Sequence, residues 1–174
     1  MHKSMDEKMS IDNLKLEKEI KNLSRPLRFR IFTTLKMPSS AFVGLKIEEF
    51  STESCTTSLP GGWRTQNPFR SMYWAVQGMA AEMSTGAFPF AISRSISQNL
   101  RMYVIGVESD FIKVARGKIV FYCSNLFDAY NAIEETIRTK KSVKCDLIST
   151  GKDSSGEVVS KWIFKWNFLA LERK

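Results

Sequence analysis

The segment TQNPFRSMYWAVQGMAAEMSTG, residues 65–86, constrains the fold of this chain more than any other stretch. Asn67-Pro68 combines a favoured N-cap residue with a residue favoured in the first helical turn, and Gly86 is a typical stop signal, so one helix is predicted between them. At about 100° per residue, apolar side chains cover nearly every side of this helix. Such a helix is buried on most sides, so the remaining chain must wrap around it.

Two stripes of different side-chain size run along the predicted helix. The large apolar residues, which we expect to press into a sheet, are Phe69, Met72, Val76, Met79 and Met83. The small residues, which end in a carboxylate, are Ser71, Ala75, Gly78 and Glu82. Small side chains permit close approach of another element, such as the same helix of a second subunit. Because glutamate is rarely buried without a partner, Glu82 is expected at a water-accessible cleft, in an ion pair, or pointing out of the helix end.

The rest of the sequence alternates hairpin signals with short helical patterns. Helices are predicted at 5–23, 25–36 and 126–141, and strands at 42–51, 54–60, 101–115, 117–125, 142–150 and 157–171. Turns are predicted at Arg116-Gly117 and at GKDSSG, residues 151–156, while residues 88–97 stay unassigned. This connectivity predicts an α+β domain with an antiparallel sheet. We divide the chain into a charged helix or flexible arm, residues 1–23, and a single domain, residues 24–174.

Several classes of chemistry are excluded by what the sequence lacks. Its one histidine, His2, lies at the terminus, which argues against Ser-His-Asp and Cys-His catalysis. No dinucleotide, Walker-type or zinc-protease motif occurs, so no metal or bound cofactor is predicted. The three cysteines Cys55, Cys123 and Cys145 are far apart in sequence, which favours reduced thiols in a cytoplasmic protein. No apolar run approaches the length of a membrane span.

The net charge of +8 is spread along the chain. The densest basic groups are Arg25/Arg28/Arg30 and Lys140/Lys141/Lys144. A scattered solvated surface explains this pattern best, and attraction of a phosphate-bearing small molecule is the next interpretation. Nucleic-acid binding has only the net charge in its favour, because no recognition motif accompanies it.

Residues 40–125 resemble the hotdog-fold acyl-CoA thioesterases. In the phenylacetyl-CoA-type branch the helix begins Asn-x-x-Gly-x-x-His-Gly-Gly, and an acid lies 15 residues beyond the Asn, which is the spacing from Asn67 to Glu82. The stretch VESDFIKVARGKIVFYCS, residues 107–124, resembles the strand pair of that family. The sequence departs from the pattern at Arg70, which replaces the glycine, and at Tyr73-Trp74-Ala75, which replaces His-Gly-Gly. The amino-acid sequence of residues 63–86 is most similar to the sequences of an uncharacterised branch of hotdog-fold thioesterases.

The resemblance implies a hotdog fold, in which a curved antiparallel sheet wraps around a long central helix. It further implies a homodimer, and leaves open whether dimers pair into tetramers. A helix of fifteen residues spans about 22 Å, so Asn67 and Glu82 on one such helix could share a site only across two chains. The expected activity is hydrolysis of an acyl-CoA thioester, with coenzyme A as part of the substrate.

Each residue then has an expected role. Glu82 would act as general base on water, or less favourably as nucleophile, and Asn67 of the other subunit would orient the water or the carbonyl. Backbone N–H groups near Arg70 and Ser71, at the predicted helix start, would polarise the thioester carbonyl. Substrate-contacting side chains would be Phe69, Met72, Tyr73 and Phe88. The departures from the motif favour an alternative, a non-catalytic hotdog domain that binds a fatty acyl group or lipid.

Overall fold

A computed structural model describes residues 11–172 of the chain. The elements within that range, in chain order, are α1 (Asn13–Leu23), α2 (Pro26–Lys36), α3 (Pro38–Phe42), β1 (Lys46–Phe50), β2 (Cys55–Leu59), α4 (Trp74–Ser93), β3 (Asn99–Phe111), β4 (Ile119–Cys123), α5 (Leu126–Thr139), β5 (Val143–Lys152) and β6 (Val158–Leu171). Residues 5–10 of the predicted N-terminal helix lie outside the described residues.

The six strands form one antiparallel sheet in the order β1-β2-β4-β5-β6-β3, curved around α4. The predicted α+β class and the strand-wrapped helix are therefore confirmed. Both predicted hairpins are present, since β1 pairs with β2 and β5 pairs with β6. The start of the first hairpin differs from the prediction, because Pro38–Phe42 forms α3 and the strand begins at Lys46.

The two strands on either side of Arg116-Gly117 are not neighbours. Gly117 has a φ of 70°, as expected for a turn glycine, but β3 pairs with β6 and β4 lies between β2 and β5. Strand patterning identifies strands but not their partners, so the sequence did not reveal this arrangement. It leaves β3, 13 residues long, at one edge of the sheet.

The predicted bounds of the central helix are wrong at both ends. The N-cap of α4 is Tyr73, with no side-chain cap, and Asn67 instead accepts hydrogen bonds from the N–H groups of Phe69 (2.9 Å) and Ser71 (3.2 Å) in a turn that precedes the helix. An Asn-Pro pair suits such a turn as well as a helix start. At the other end the helix continues through Gly86 and Pro89 to Ser93. Burial of the last two turns outweighs the poor helical propensity of both residues.

The sheet-facing side of α4 also differs from the predicted large stripe. Its polar contacts with the strands are made by Thr57 Oγ1 donating to the Ala80 carbonyl (2.8 Å), by Ser84 with Ser149 (2.7 Å), and by Trp166 Nε1 donating to Thr85 Oγ1 (3.1 Å). Small and polar side chains allow the curved sheet to approach the helix closely. Phe69 precedes the helix and is 84 % exposed, so it does not press into the sheet.

The helices α1 and α2 pack across the side of α4 that the sheet leaves open. Leu16, Ile20 and Leu23 of α1 are buried, and the Phe32 and Phe90 rings of α2 and α4 lie 5.4 Å apart. Asp12 caps α1 by accepting a hydrogen bond from the Lys15 N–H group (3.0 Å). Within residues 11–172, no helix has both the length and the apolar character that crossing a membrane requires.

Candidate active site

Glu82 lies midway along α4 and lines a cavity of about 170 Å³. The other lining residues of this Glu82 cavity are apolar: Leu23, Phe29, Phe32, Met37, Ile47, Met83, Gly86, Ala87, Phe90, Met102 and Trp166. Of the residues that the structure describes, Glu82 is thus the one charged group in the lining. The carboxylate at the end of the predicted small-residue stripe therefore faces a partly open, apolar cavity.

Burial raises the pKa of the Glu82 carboxyl above its usual range, because removal from water penalises the charged form. Across residues 11–172, the structure shows neither an ion-pair partner nor a hydrogen-bond donor to this carboxylate. Of the three expectations for Glu82, the cleft is therefore the one that the described residues match. A carboxyl of this kind takes up or releases a proton nearer to neutral pH than an exposed one.

Gly86 leaves the space in front of Glu82 open. A Cβ on Gly86 would lie 3.5 Å from Glu82 Oε1 and 3.0 Å from the Trp166 ring. The ring of Trp166 is held in place by its hydrogen bond to Thr85 (3.1 Å). A side chain at the position four residues after the acid would therefore require the indole that forms the cavity wall to shift by a few tenths of an ångström.

A larger groove of about 600 Å³ adjoins the Glu82 cavity, and the two share Phe29 and Ile47 in their linings. The groove runs between α2, α3 and β1 and contains three basic side chains, Arg30, Lys46 and Arg64. None of the three lies within ion-pair distance of a carboxylate in the described part of the chain.

Among the described residues that line the groove, one is acidic, and the carboxylate of this residue, Glu48, already has two partners. It accepts a hydrogen bond from Ser58 Oγ (2.6 Å) and pairs with Lys118 (2.5 Å), which lowers the pKa of its carboxyl. The groove therefore keeps an excess of positive charge next to the apolar cavity. Sequence reasoning noticed the Arg25/Arg28/Arg30 group but had no signal that Arg30 would meet Lys46 and Arg64 there.

Asn67, Arg70 and Ser71 form a tight turn before α4. Asn67 Oδ1 accepts from Ser71 Oγ (3.1 Å) as well as from the Ser71 N–H, and the Arg70 N–H donates to the Asn67 carbonyl (3.0 Å). Arg70 has a φ of 59°, a left-handed conformation. The expected helix-start donors at Arg70 and Ser71 are thus already used within the turn, which corrects that assignment.

The free N–H groups of the helix start belong to Trp74 and Ala75, which have no backbone or side-chain acceptor within residues 11–172. At a rise of about 1.5 Å per residue, Trp74 and Glu82 are about 12 Å apart along the axis. This replaces the 22 Å expected from a helix that began at Asn67. The helix start and the carboxylate of one chain remain separate in space.

The remaining predicted substrate contacts are not assembled around Glu82 within one subunit. Tyr73 is half-exposed and packs edge-on against Trp74, with ring centroids 5.8 Å apart. Met72 is buried, and Phe88 is buried beside a separate groove that also contains Leu16 and Tyr130. The walls of the cavity come instead from α1, α2, β1, β3, β6 and α4 itself. Sequence reasoning missed them because only the tertiary fold brings them together.

Comparison with known proteins places the chain in a family. A family model described as "Domain of unknown function (DUF4442)" matches residues 26–167. Comparison with curated proteins gives no match.

Solved structures share the fold at low sequence identity. A Pseudomonas aeruginosa protein of unknown function, described as a probable thioesterase, aligns with a TM-score of 0.68 and 18% identity over 86% of this chain and 99% of that chain. A thioesterase from Haemophilus influenzae aligns with a TM-score of 0.60 and 11% identity over 82% and 90% of the two chains. A mutant thioesterase from P. aeruginosa aligns with a TM-score of 0.60 and 18% identity over 82% and 94%.

These likenesses establish the architecture, a curved antiparallel sheet around one long helix, which is the hotdog fold that the resemblance in residues 40–125 implied. Since the family model spans most of the sequence, this chain belongs to the DUF4442 family and has the hotdog fold of these thioesterase structures.

Proposed function

We propose that this chain hydrolyses the thioester of an acyl-CoA, with Glu82 as the general base. The observation that carries the proposal is a carboxylate with a raised pKa, in an apolar cavity that adjoins a basic groove. A general base works best when its pKa lies near the working pH, and burial moves Glu82 in that direction. The thioesterase descriptions of structures with the same fold agree with this assignment.

The two adjoining spaces match the two parts of such a substrate. The acyl group would occupy the Glu82 cavity, and the phosphates of coenzyme A would meet Arg30, Lys46 and Arg64 in the groove. An apolar cavity of about 150 Å³ holds benzene, so a cavity of about 170 Å³ fits a short or aromatic acyl group. Phe29 and Ile47, shared by both linings, would flank the thioester.

The reaction follows from these positions. Glu82 removes a proton from a water molecule, and the water oxygen bonds to the thioester carbon. Collapse of the tetrahedral intermediate breaks the carbon–sulfur bond, and the departing thiolate receives the proton that Glu82 had taken. Backbone N–H groups at a helix start would stabilise the oxyanion, because a helix N-terminus carries unsatisfied donors and partial positive charge.

A second subunit would complete the site. The N–H groups of Trp74 and Ala75 lie about 12 Å along the helix from Glu82 of the same chain, so one active site would combine Glu82 with the helix start and Asn67 of a partner subunit. The edge strand β3 supports a homodimer, because long edge strands with unpaired backbone groups favour pairing with a second copy. Its outward side chains Tyr103, Ile105 and Val107 are half-exposed.

The direct test assays the purified chain against short, long and aromatic acyl-CoAs, beside Glu82→Gln and the control Glu49→Gln. Glu49 is an exposed carboxylate on β1 and serves to match the charge change. We expect hydrolysis by the wild type and by Glu49→Gln, and a loss of about 100- to 10,000-fold in Glu82→Gln. Undiminished hydrolysis by Glu82→Gln would remove Glu82 from the mechanism.

The shared site has its own test. Asn67→Ala and Glu82→Gln are each expected to be impaired, and mixing them under conditions of subunit exchange should restore part of the activity. Restoration requires that one dimer site contain both wild-type residues. A mixture no more active than its components would contradict a site shared between chains.

A second candidate function is acyl binding without turnover. The observation in its favour is the turn at Asn67, which already uses the N–H groups of Arg70 and Ser71 that the family motif would place near the carbonyl. This candidate predicts that acyl-CoA raises the melting temperature while remaining intact over hours. Release of free thiol from the acyl-CoA would rule it out.

A further inference from the structure

Helix α2 carries apolar residues on two opposite sides. Its inner side holds Phe29 and Thr33, which are buried. Its outer side holds Leu27, Ile31 and Leu35 at a spacing of four residues, with exposed fractions of 71%, 52% and 72%. Residues four apart form one continuous line on a helix, so these three make a single apolar stripe. We call it the α2 stripe.

The segment of the chain that carries the α2 stripe has charge of one sign. Residues 20–47 contain six basic residues and neither Asp nor Glu: Lys21, Arg25, Arg28, Arg30, Lys36 and Lys46. All six are exposed. At about 100° per residue, Arg28 and Arg30 lie on either side of the stripe. Arg25 and Lys36 lie at the two ends of the helix but farther round its circumference. An exposed apolar line bordered by cations is typical of helices that lie in a membrane interface.

We propose that α2 docks this protein on an anionic lipid surface. Leu27, Ile31 and Leu35 would enter the boundary between headgroups and acyl chains, and the surrounding Lys and Arg side chains would meet the anionic headgroups. Uncharged lipid would supply only the apolar contact.

Other occupants fit the same surface less well. A second copy of the chain, related by a two-fold axis, would set basic residues against basic residues across the contact. Nucleic acid would satisfy the cations but would offer little to cover three aliphatic side chains. A lipid surface satisfies both features at once. Membrane binding does not require thioester hydrolysis. Leu27, Arg30 and Lys46 also line the groove proposed for coenzyme A, but Arg25 and Arg28 lie outside that lining and carry the charge test below. Failure of hydrolysis therefore leaves membrane docking standing, and failure of docking leaves hydrolysis standing.

The test is sedimentation of the full chain with vesicles of phosphatidylcholine, with and without phosphatidylserine. We expect binding to the vesicles that contain phosphatidylserine, weaker binding at high salt, and little binding to phosphatidylcholine alone. Absence of binding to either vesicle, or equal binding to both, would overturn the proposal.

Paired variants separate the apolar contribution to membrane binding from the electrostatic contribution. Leu27→Ser/Ile31→Ser/Leu35→Ser should abolish sedimentation, whereas Phe127→Ser/Ile148→Ser, which removes exposed apolar residues from α5 and β5, should not. Arg25→Gln/Arg28→Gln should weaken binding about fivefold for each charge removed, whereas Lys141→Gln/Lys144→Gln, with the same charge change on exposed residues, should weaken it less. Unchanged binding in the stripe variant would overturn the proposal.

Light scattering on the same proteins tests whether a second copy of the chain covers the α2 stripe. The stripe variant should keep the mass of the wild type, because in this proposal no second copy covers α2. A fall in mass on loss of the α2 stripe would assign the surface to self-association and overturn membrane docking.

Discussion

Gly86 lies beneath the Glu82 carboxylate on α4, so that a Cβ on Gly86 would be 3.5 Å from Glu82 Oε1. The same Cβ would be 3.0 Å from the ring of Trp166, closer than ordinary packing allows. The positions of the Trp166 indole and of the Glu82 carboxylate therefore both depend on the absence of a side chain at Gly86. The volume of the Glu82 cavity depends on it as well.

Gly86→Ala should destabilise the protein although alanine is the better helix former. Overpacking against Trp166 costs about 1–3 kcal/mol, so over most of this range the cost exceeds the gain of about 1 kcal/mol in helical propensity. The measurement is the free energy of unfolding in urea. Gly78→Ala on the same helix is the matched control, because its Cβ would meet Trp162 at 3.4 Å, an ordinary contact. It should stabilise by up to about 1 kcal/mol, and equal stabilisation by both variants would contradict the packing described for Gly86.

The difference in stability between Glu82→Gln and the wild type should depend on pH. Since the folded-state pKa of Glu82 lies above the ordinary value of 4.5, the folded chain binds more protons than the unfolded chain between those two values. The contribution of Glu82 to stability therefore falls as pH rises through this window and stays low above it.

Consequently Glu82→Gln should be more stable than the wild type at neutral pH, and this advantage should shrink as pH falls towards 4.5. Urea unfolding of both proteins across the range measures the difference. Glu49→Gln, at an exposed site, should show no comparable trend. A Glu82→Gln advantage that is constant with pH would argue against a buried ionisable carboxyl.

The basic groove should affect the binding of coenzyme A and not the chemistry. Arg30→Gln and Arg64→Gln are expected to raise KM for acyl-CoA several-fold, because each removes a cation that would meet a phosphate. With an acyl thioester of N-acetylcysteamine, which has no phosphate, the same variants should behave as the wild type. Arg138→Gln, an exposed site on α5, is the control. An equal rise in KM with both substrates would show that the two arginines do not act by binding the phosphates of coenzyme A.

The β3 edge should determine the oligomeric state. Tyr103→Lys/Val107→Lys places two charges on the edge strand, and lysine on an edge opposes strand-to-strand pairing. We expect the mass measured by light scattering to fall from dimer to monomer, with loss of hydrolysis if the site is shared. An unchanged dimer mass would show that another surface joins the subunits.

The sequence predicted the architecture better than the bounds of its central helix. Hairpin signals such as residues 151–156 depend on local turn chemistry, and the structure has that hairpin. Asn67-Pro68 is compatible with both a helix start and a turn, and tertiary contacts decide between them. The N–H of Met72 donates to the Ala115 carbonyl and the N–H of Tyr73 donates to the Thr65 carbonyl (2.8 Å each), which fixes the segment before α4 in a non-helical form.

The candidate site was only partly accessible to sequence reasoning. Glu82 was identified because a carboxylate on an apolar helix is chemically unusual, and that rule needs no knowledge of neighbours. Its surroundings come from residues far apart in the chain, such as Phe32, Met102 and Trp166. Each of these looks like an ordinary core residue in sequence, and no local pattern distinguishes a side chain that faces a cavity from one that fills the core.

The most direct measurement is kcat/KM for acyl-CoA hydrolysis as a function of pH, in the wild type and in Glu82→Gln. We predict that the wild-type value rises with pH through a pKa above the usual range of a glutamate and then levels off, because only the ionised carboxylate activates water. Glu82→Gln should lose about 100-fold or more and should also lose this acid limb. A variant that keeps both the rate and the acid limb of the wild type would contradict the assignment of Glu82 as the base.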